Sequence, residues 1–272
     1  MNGTIGLIID MDGVLYRNRT PLEGARELLD FLKSSGIPYV LLTNNSTLTA
    51  ADYKEKLLGM GMDVPEDRIV TSGMVAVNYM KNHLEEGPVF VIGGRGLVRE
   101  VERLGWSIVS LKEARRKWRE VRHVMVGLDP SLTYDKLKYA VLAIRNGATF
   151  IGTNPDTTYP AEDGLYPGAG SIIAAVKAAT EVEPIVVGKP NEPAYEMVKG
   201  RLGADELWMV GDRLDTDVLF AKRFGMKTVM VLTGVSTLED VKESEIKPDL
   251  VVPSVRELLE YFKVLEEGNG DE

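Results

Sequence analysis

The chain contains no cysteine among its 272 residues and only two histidines, His83 and His123. The absence of cysteine excludes disulfide bonds, thiol nucleophiles and cysteine-ligated metals, and two histidines are too few for a histidine-rich metal site. Positive charge is also in the minority, since 32 Lys and Arg face 41 Asp and Glu for a net charge of -9. An acidic balance argues against broad binding to nucleic acid backbones, which needs a basic face.

Long apolar runs are missing as well. No segment approaches the roughly 18 apolar residues that cross a bilayer, and the N-terminus enters a strand pattern without a basic and then apolar leader. We therefore expect a cytoplasmic protein with neither membrane nor nucleic acid partners. The composition, 44% hydrophobic and 27% charged, is ordinary for a globular protein, and the length allows one large domain or two smaller ones.

Short aliphatic runs alternate with amphipathic segments along the whole chain. The aliphatic runs predict strands at 5–10, 38–43, 89–94, 123–128, 149–154, 184–190, 206–212 and 227–234, with a last short strand and helix within 249–262. The amphipathic segments predict helices at 22–36, 49–61, 71–85, 96–104, 133–146, 169–181, 193–202 and 215–225. This alternation is typical of an α/β fold with a mostly parallel sheet.

The first predicted strand ends in an unusual pair of acids. In LIIDMDGVLY (7–16), Asp10 and Asp12 follow three aliphatic residues. Two buried carboxylates lose solvation and repel each other, so a cation is expected beside them. The alternative is that the pair belongs to a solvated turn. Three other predicted strands carry polar side chains at or just beyond their ends: Thr43, Asn44 and Asn45 at one, Lys189 at another, Asp212 and Asp217 at the third.

The carboxyl ends of strands in an open parallel sheet face one crevice, where ligands bind. We therefore predict that these polar side chains meet at a single site. A set of oxygen donors with no sulfur and little imidazole suits a hard divalent cation, above all Mg²⁺. The positive charge of Lys189 would offset part of the negative charge of Asp10 and Asp12.

Four segments, DMDGV, LLTNNS, GKP and GDRLDTD, occur in the order of the four motifs of the haloacid dehalogenase (HAD) superfamily and resemble them. The resemblance covers nearly the whole chain. TNNS and the stretch GTNPDTTYPAEDGLYPGAGSI are similar to the NagD-type, p-nitrophenylphosphatase-like branch. The resemblance implies a Rossmann-like core with an inserted α/β cap, and a Mg²⁺-dependent phosphatase that hydrolyses small phosphorylated metabolites.

The resemblance also implies a role for each motif residue. Asp10 would be the nucleophile that forms an aspartyl phosphate, and Asp12 the general acid and then the general base. Mg²⁺ would be held by the Asp10 and Asp212 carboxylates and the Asp12 main-chain carbonyl, with Asp217 orienting the site and Asp215 as the alternative to it. The phosphoryl oxygens would be bound by Thr43, Asn44, Asn45 and Lys189.

The same resemblance divides the chain into a core of 1–86 and 184–272 and an inserted cap of 87–183. The cap is bounded by EEGP and EVEP, two acidic junctions that end in proline. Within TNPDTTYP, Asp156 and Tyr159 are the candidates for contact with the leaving group, and a purely structural turn is the alternative. A homodimer is an expectation taken from the family alone.

Two other functions share these residues. A phosphotransferase or phosphomutase would form the same aspartyl phosphate and pass it to a second hydroxyl. A non-catalytic, receiver-like module would also gather acids and a lysine at one edge of a sheet. Cleavage of carbon–halogen bonds is not expected, because the family members that perform it lack the acid found here at Asp12.

Overall fold

A computed structural model of the chain describes residues 4–161 and 163–269. Over these residues the chain divides into two compact units. The first unit takes the described residues of 1–43, 53–70 and 195–272, and the second unit takes those of 44–52 and 71–194. The predicted cap, 87–183, therefore falls inside the second unit.

The strands follow one another along the chain as β1 (Ile5–Ile9), β2 (Tyr16–Arg17), β3 (Thr20–Pro21), β4 (Tyr39–Thr43), β5 (Ile69–Thr71), β6 (Val89–Ile92), β7 (His123–Val126), β8 (Thr149–Gly152), β9 (Thr158–Ala161), β10 (Gly164–Pro167), β11 (Ile185–Val186), β12 (Glu206–Gly211), β13 (Lys227–Val231) and β14 (Leu250–Val252).

The α-helices are α1 (Ala25–Ser34), α2 (Ala50–Gly59), α3 (Ser72–His83), α4 (Arg95–Leu104), α5 (Leu111–Lys117), α6 (Tyr134–Arg145), α7 (Ala169–Thr180), α8 (Glu192–Leu202), α9 (Leu219–Arg223), α10 (Leu238–Glu243) and α11 (Val255–Asn269). Short 3₁₀ turns lie at Glu66–Arg68 and Trp118–Glu120, and a π-helical turn at Leu214–Val218 leads into α9.

A six-stranded sheet in the order β14-β13-β12-β1-β4-β5 forms the centre of the first unit. β1 pairs in parallel with β12 on one side and β4 on the other. A central parallel strand is covered on both faces, which explains why Leu7, Ile8 and Ile9 are continuous apolar residues with 0% exposure. The predicted α/β fold with a parallel sheet is confirmed.

The second unit has its own four-stranded parallel sheet, in the order β11-β8-β7-β6. Its core includes Phe90, Val124 and Phe150 from the strands and Ile173 from α7, all within one apolar cluster. No helix of the part of the chain that the structure describes has both the length and the apolar character to span a membrane.

The strand before Lys189 differs from the prediction. The sequence predicts a strand over 184–190, but β11 covers only two residues and pairs with β8 in the four-stranded sheet. Beyond β11 the chain stays beside residue 153, because the Gly188 N–H donates to the Thr153 carbonyl at 2.8 Å. A Cβ at Gly188 would lie 2.5 Å from that oxygen, so only glycine permits this approach.

The hairpin of β9 and β10 was not predicted as strands. Its two strands pair antiparallel, with Tyr159 opposite Tyr166, and Leu165 is 64% exposed. Pro160 and Pro167 interrupt the alternation of apolar and polar residues that identifies a strand, because proline cannot donate a ladder hydrogen bond.

Candidate active site

Asp10 and Asp212 lie at the same edge of the six-stranded sheet. Asp10 directly follows β1 and Asp212 directly follows β12, and the parallel pairing of these two strands places Ile9 opposite Val210. The Asp10 N–H donates to the Val210 carbonyl at 2.9 Å, and the Asp10 side chain is only 9% exposed. Parallel register therefore brings the two acids together from distant parts of the chain.

A third acid completes the cluster. One carboxylate oxygen from each of Asp10, Asp212 and Asp217 lies within 4.8 Å of the other two. Asp212 and Asp217 are 2% and 1% exposed. Three buried carboxylates so close together repel one another strongly, and a divalent cation is the partner that would offset them. Oxygen donors alone are the set that Mg²⁺ prefers, so the residues fit this ion.

Backbone groups hold the Asp212 carboxylate in place. The Val235 N–H donates to Asp212 Oδ2 at 2.7 Å. Two glycines make room for the same oxygen, since a Cβ on Gly234 would lie 1.8 Å from it and a Cβ on Gly13 2.6 Å. Gly13 also has a φ of +80°, in the left-handed region that favours glycine. Gly13 of the DMDGV motif therefore allows both the turn of the backbone and the close approach of the Asp212 carboxylate.

Asp217 and Asp215 occupy different environments. Asp217 accepts hydrogen bonds from the N–H groups of Asp212 and Arg213 at 3.1 and 3.2 Å, inside the π-helical turn. The Asp215 side chain is 69% exposed and pairs with the Arg213 guanidinium at 3.0 Å. Of the two acids, Asp217 is thus the one that lies in the cluster with Asp10.

Replacement of these two acids should therefore have unequal effects. We expect Asp217→Asn to weaken divalent-cation affinity by about 10- to 100-fold, because the carboxylate fixes the backbone that carries Asp212 and adds negative charge. Asp215→Asn is the matched control in the same turn and should bind the cation as the wild type does. Calorimetric titration of each variant with Mg²⁺ measures the difference, and equal affinities for the two variants would contradict it.

Asp12 lies in an aromatic and cationic environment that the sequence did not reveal. The Tyr16 hydroxyl donates to Asp12 Oδ2 at 3.3 Å, and the Lys56 ammonium lies 3.9 Å from the centre of the Tyr16 ring. Burial raises the pKa of Asp12, although the nearby Lys56 charge and the Tyr16 hydrogen bond act to lower it. The spacing of Tyr16 from Asp12 was visible in the segment LIIDMDGVLY, but no sequence pattern marked Lys56.

Thr43 is 3% exposed at the end of β4 and shares a hydrogen bond with the Tyr53 hydroxyl. The chain passes from the first unit to the second between Thr43 and Asn44.

In the second unit, Asn44 links two of the other predicted residues. Its Nδ2 lies 3.2 Å from each carboxylate oxygen of Asp156 and donates to the Lys189 carbonyl at 3.0 Å. Lys189 is 2% exposed. Asn154, which no sequence pattern marked as a site residue, supports this arrangement by donating to the Asn44 carbonyl at 2.7 Å.

One cavity of the second unit joins the predicted residues of TNNS and TNPDTTYP. It is lined by Asn44, Asn45, Asp156 and Tyr159, together with Leu128 and the start of α7. The Asn45 side-chain oxygen accepts from the N–H and hydroxyl of Thr47 at 2.9 and 2.7 Å, so it shapes its own turn. The lining of the cavity combines polar side chains with the apolar Leu128 and Ala169.

The predicted residues thus form two groups. Asp10, Asp12, Thr43, Asp212 and Asp217 belong to the first unit; Asn44, Asn45, Asp156, Tyr159 and Lys189 belong to the second. That the two groups act as one site stays a prediction.

Family models match both ends of the chain. A model described as haloacid dehalogenase-like hydrolase matches residues 7–107, and one described as HAD-hydrolase-like matches residues 186–258. The acid sugar phosphatase of Staphylococcus aureus is 41% identical over 245 residues, which cover 89% of this chain and 91% of that protein.

Solved structures of similar proteins resemble this chain in both sequence and fold. A hypothetical protein from Pyrococcus horikoshii OT3 is 65% identical with a TM-score of 0.92, covering 95% of this chain and 100% of that one. The 4-nitrophenylphosphatase of Thermotoga maritima is 37% identical with a TM-score of 0.86, covering 94% and 96%. A glycerol phosphate phosphatase from Mycobacterium tuberculosis, solved with magnesium, is 33% identical with a TM-score of 0.83, covering 93% and 75%.

The chain belongs to the haloacid dehalogenase-like hydrolases, with an α/β core and a cap as in its structural neighbours. Within this family it is a phosphatase, a hydrolase of phosphoric monoesters, of the NagD-type, 4-nitrophenylphosphatase-like branch. The predicted family and enzyme class are confirmed, and the receiver-like module is set aside.

Proposed function

We propose that the chain is a Mg²⁺-dependent phosphomonoesterase that hydrolyses small phosphorylated metabolites through an aspartyl phosphate on Asp10. The observation that carries the proposal is the buried cluster of Asp10, Asp212 and Asp217, whose oxygens lie within 4.8 Å of one another. The names of the similar proteins, acid sugar phosphatase, glycerol phosphate phosphatase and 4-nitrophenylphosphatase, support phosphorylated sugars and polyols as the first substrates to test.

In the first proposed step, an Asp10 carboxylate oxygen attacks phosphorus and the bond from phosphorus to the leaving oxygen breaks. Asp12 gives its proton to that oxygen, so the alcohol leaves neutral. Burial raises the pKa of Asp12, which supports a role as an acid at higher pH than an ordinary aspartate allows. In the second step, Asp12 takes a proton from water, which attacks phosphorus and regenerates Asp10 with release of inorganic phosphate.

Mg²⁺, when bound by the Asp10 and Asp212 carboxylates and the Asp12 main-chain carbonyl, would neutralise negative charge on the phosphoryl group. Asp217 would hold the backbone that presents Asp212, as its hydrogen bonds support. Four residues would bind the phosphoryl oxygens, one through its ammonium and the others through hydroxyl or amide groups: Lys189, Thr43, Asn44 and Asn45.

The cap, 87–183, would select the leaving group. Asp156 and Tyr159 line a cavity with Asn44, which supports contact between these side chains and the alcohol part of the substrate. A carboxylate there suits hydroxyl groups, which can donate to it. Assembly as a homodimer remains part of the proposal, tested by the molar mass of the protein in solution.

Chelation should reveal the role of the metal. We expect removal of divalent cations to lower turnover of 4-nitrophenyl phosphate by at least about 100-fold, roughly 2.7 kcal/mol of transition-state stabilisation, because the cation offsets the cluster of acids and the charge on the phosphoryl group. Addition of Mg²⁺ after removal of the chelator should restore turnover. Full activity of the metal-free protein would contradict the proposal.

Transfer to a second hydroxyl is the competing activity. The two outcomes separate when the reaction runs with an added alcohol or sugar acceptor and both products are counted. Release of inorganic phosphate in step with the alcohol product favours hydrolysis, and a phosphorylated acceptor in its place favours a phosphotransferase or mutase. A panel of phosphorylated metabolites under the same conditions would then identify the preferred substrate.

A further inference from the structure

A tyrosine outside the four motifs donates to the carboxylate of Asp12, and a lysine lies over the ring of that tyrosine. We infer that Tyr16 and Lys56 are positioning residues for proton transfer: Tyr16 fixes one carboxylate oxygen of Asp12, and Lys56 fixes the Tyr16 ring. The inference rests on the proposed role of Asp12 as general acid. The other carboxylate oxygen, Oδ1, is then the one that carries the transferred proton.

Tyr16 and Asp12 belong to one closed loop, which sets their separation. The Tyr16 hydroxyl donates to Asp12 Oδ2 at 3.3 Å. The Tyr16 carbonyl accepts from the Gly13 N–H at 2.9 Å, and the Leu15 N–H donates to the Met11 carbonyl at 2.8 Å. Since Tyr16 is 0% exposed, its ring has little freedom to rotate away from Asp12.

The direction of this hydrogen bond follows from the chemistry of the two groups when Asp12 is ionised. An ionised carboxylate has no proton to donate, so the Tyr16 hydroxyl is the donor to Asp12 Oδ2.

Lys56 contacts the face of the Tyr16 ring. It lies on α2, half-buried, with its ammonium 3.9 Å from the centre of the Tyr16 ring and 5.8 Å from that of Tyr53. The attraction between a cation and an aromatic face grows when the pair is removed from water. Asp12 and Arg19 are the charged groups that act on Lys56, the first attracting and the second repelling it.

A comparison of two leaving groups can detect a misplaced Asp12 carboxyl group. Protonation of the leaving oxygen matters for a poor leaving group, such as phenol with a pKa of about 10, and matters little for the far better leaving group 4-nitrophenolate. The ratio kcat/KM reports the steps up to departure of the alcohol, so it isolates the acid role of Asp12 from its later role as base.

Tyr16→Phe keeps the buried ring and removes only the hydroxyl. We expect kcat/KM for phenyl phosphate to fall about tenfold, with less than about a twofold change for 4-nitrophenyl phosphate, because only part of the acid contribution is lost. Lys56→Met should show the same selectivity, and Lys56→Arg should restore wild-type values because it keeps a cation over the ring.

Tyr39→Phe is the matched control. Tyr39 is also buried in the first unit, at 5% exposure, with the Arg68 guanidinium 5.3 Å from the centre of its ring. The Tyr39→Phe variant should leave kcat/KM unchanged for both esters. Circular dichroism should show that all variants are folded. An equal fall for both esters in Tyr16→Phe, or no fall for either, would overturn the inference.

Asp12→Asn separates this inference from the proposed function. It should show the same dependence on the leaving group, more strongly than Tyr16→Phe. If Asp12→Asn retains wild-type kcat/KM on phenyl phosphate, the proposed role of Asp12 itself fails. If Asp12→Asn shows the dependence and Tyr16→Phe does not, only the positioning role fails.

Discussion

Asp10→Asn is expected to lower turnover of 4-nitrophenyl phosphate by at least about a thousandfold, roughly 4 kcal/mol of transition-state stabilisation. The amide has almost the shape of the carboxylate but lacks the nucleophilic charge that attacks phosphorus. It also removes one of three carboxylates that lie within 4.8 Å of one another. Because these charges repel, the folded state should keep its stability or gain some.

Steady-state kinetics and thermal unfolding of the same preparation test both parts of this expectation. Asp30→Asn, at an exposed position of α1, is the matched control and should retain wild-type turnover. Retention of a tenth of the activity by Asp10→Asn would rule out Asp10 as the nucleophile. A large fall in melting temperature would instead assign Asp10 a structural role.

Gly234→Ala is also expected to have a large effect. The new Cβ would lie 1.8 Å from Asp212 Oδ2 and 2.3 Å from its Cγ, far inside van der Waals contact. Either the carboxylate or the loop from 233 to 236 must move, and the hydrogen bond from the Val235 N–H to Asp212 is then lost. We expect Mg²⁺ affinity to fall by at least about 10-fold, the size typical for loss of support around a metal ligand.

Gly200→Ala provides the comparison for this substitution. Gly200 lies in α8, and a Cβ at this position would meet no atom of the described residues within 4 Å outside its own helix backbone. Alanine should therefore keep metal affinity and improve helix stability. Titration with Mg²⁺ in the presence and absence of inorganic phosphate measures both variants. Wild-type Mg²⁺ affinity in Gly234→Ala would show that Asp212 does not hold the cation in its observed position.

Much of the fold was predictable because its strands are strongly patterned. The short aliphatic run before Asp10 favours a buried strand, and the alternation of such runs with amphipathic helices favours a parallel sheet. The pairing of β11 was not predictable, because two half-buried residues carry too little pattern to select a neighbour. The hairpin of β9 and β10 was missed because Pro160 and Pro167 resemble loop residues.

The acids of the candidate site followed from the sequence, but their arrangement did not. The sequence left Asp215 and Asp217 as alternatives, and the π-helical turn directs Asp217 toward the Asp212 and Arg213 N–H groups while Asp215 turns to solvent. Tyr16 and Lys56 lie 40 residues apart in the chain, and no local pattern relates them. Their contact exists only because α2 packs its Lys56 side chain against the Tyr16 ring at the start of β2.

The order of residues along the chain was enough to predict the α/β class and the acids at the strand ends, since both depend on local spacing and on strand periodicity, and the four motifs were enough to suggest the family by resemblance. Folding in three dimensions was needed to show which carboxylates share one cluster, which glycines make room for Asp212 and which side chains surround Asp12. These contacts join residues far apart in the chain, and their distances are set by strand register and close packing rather than by any neighbouring residue.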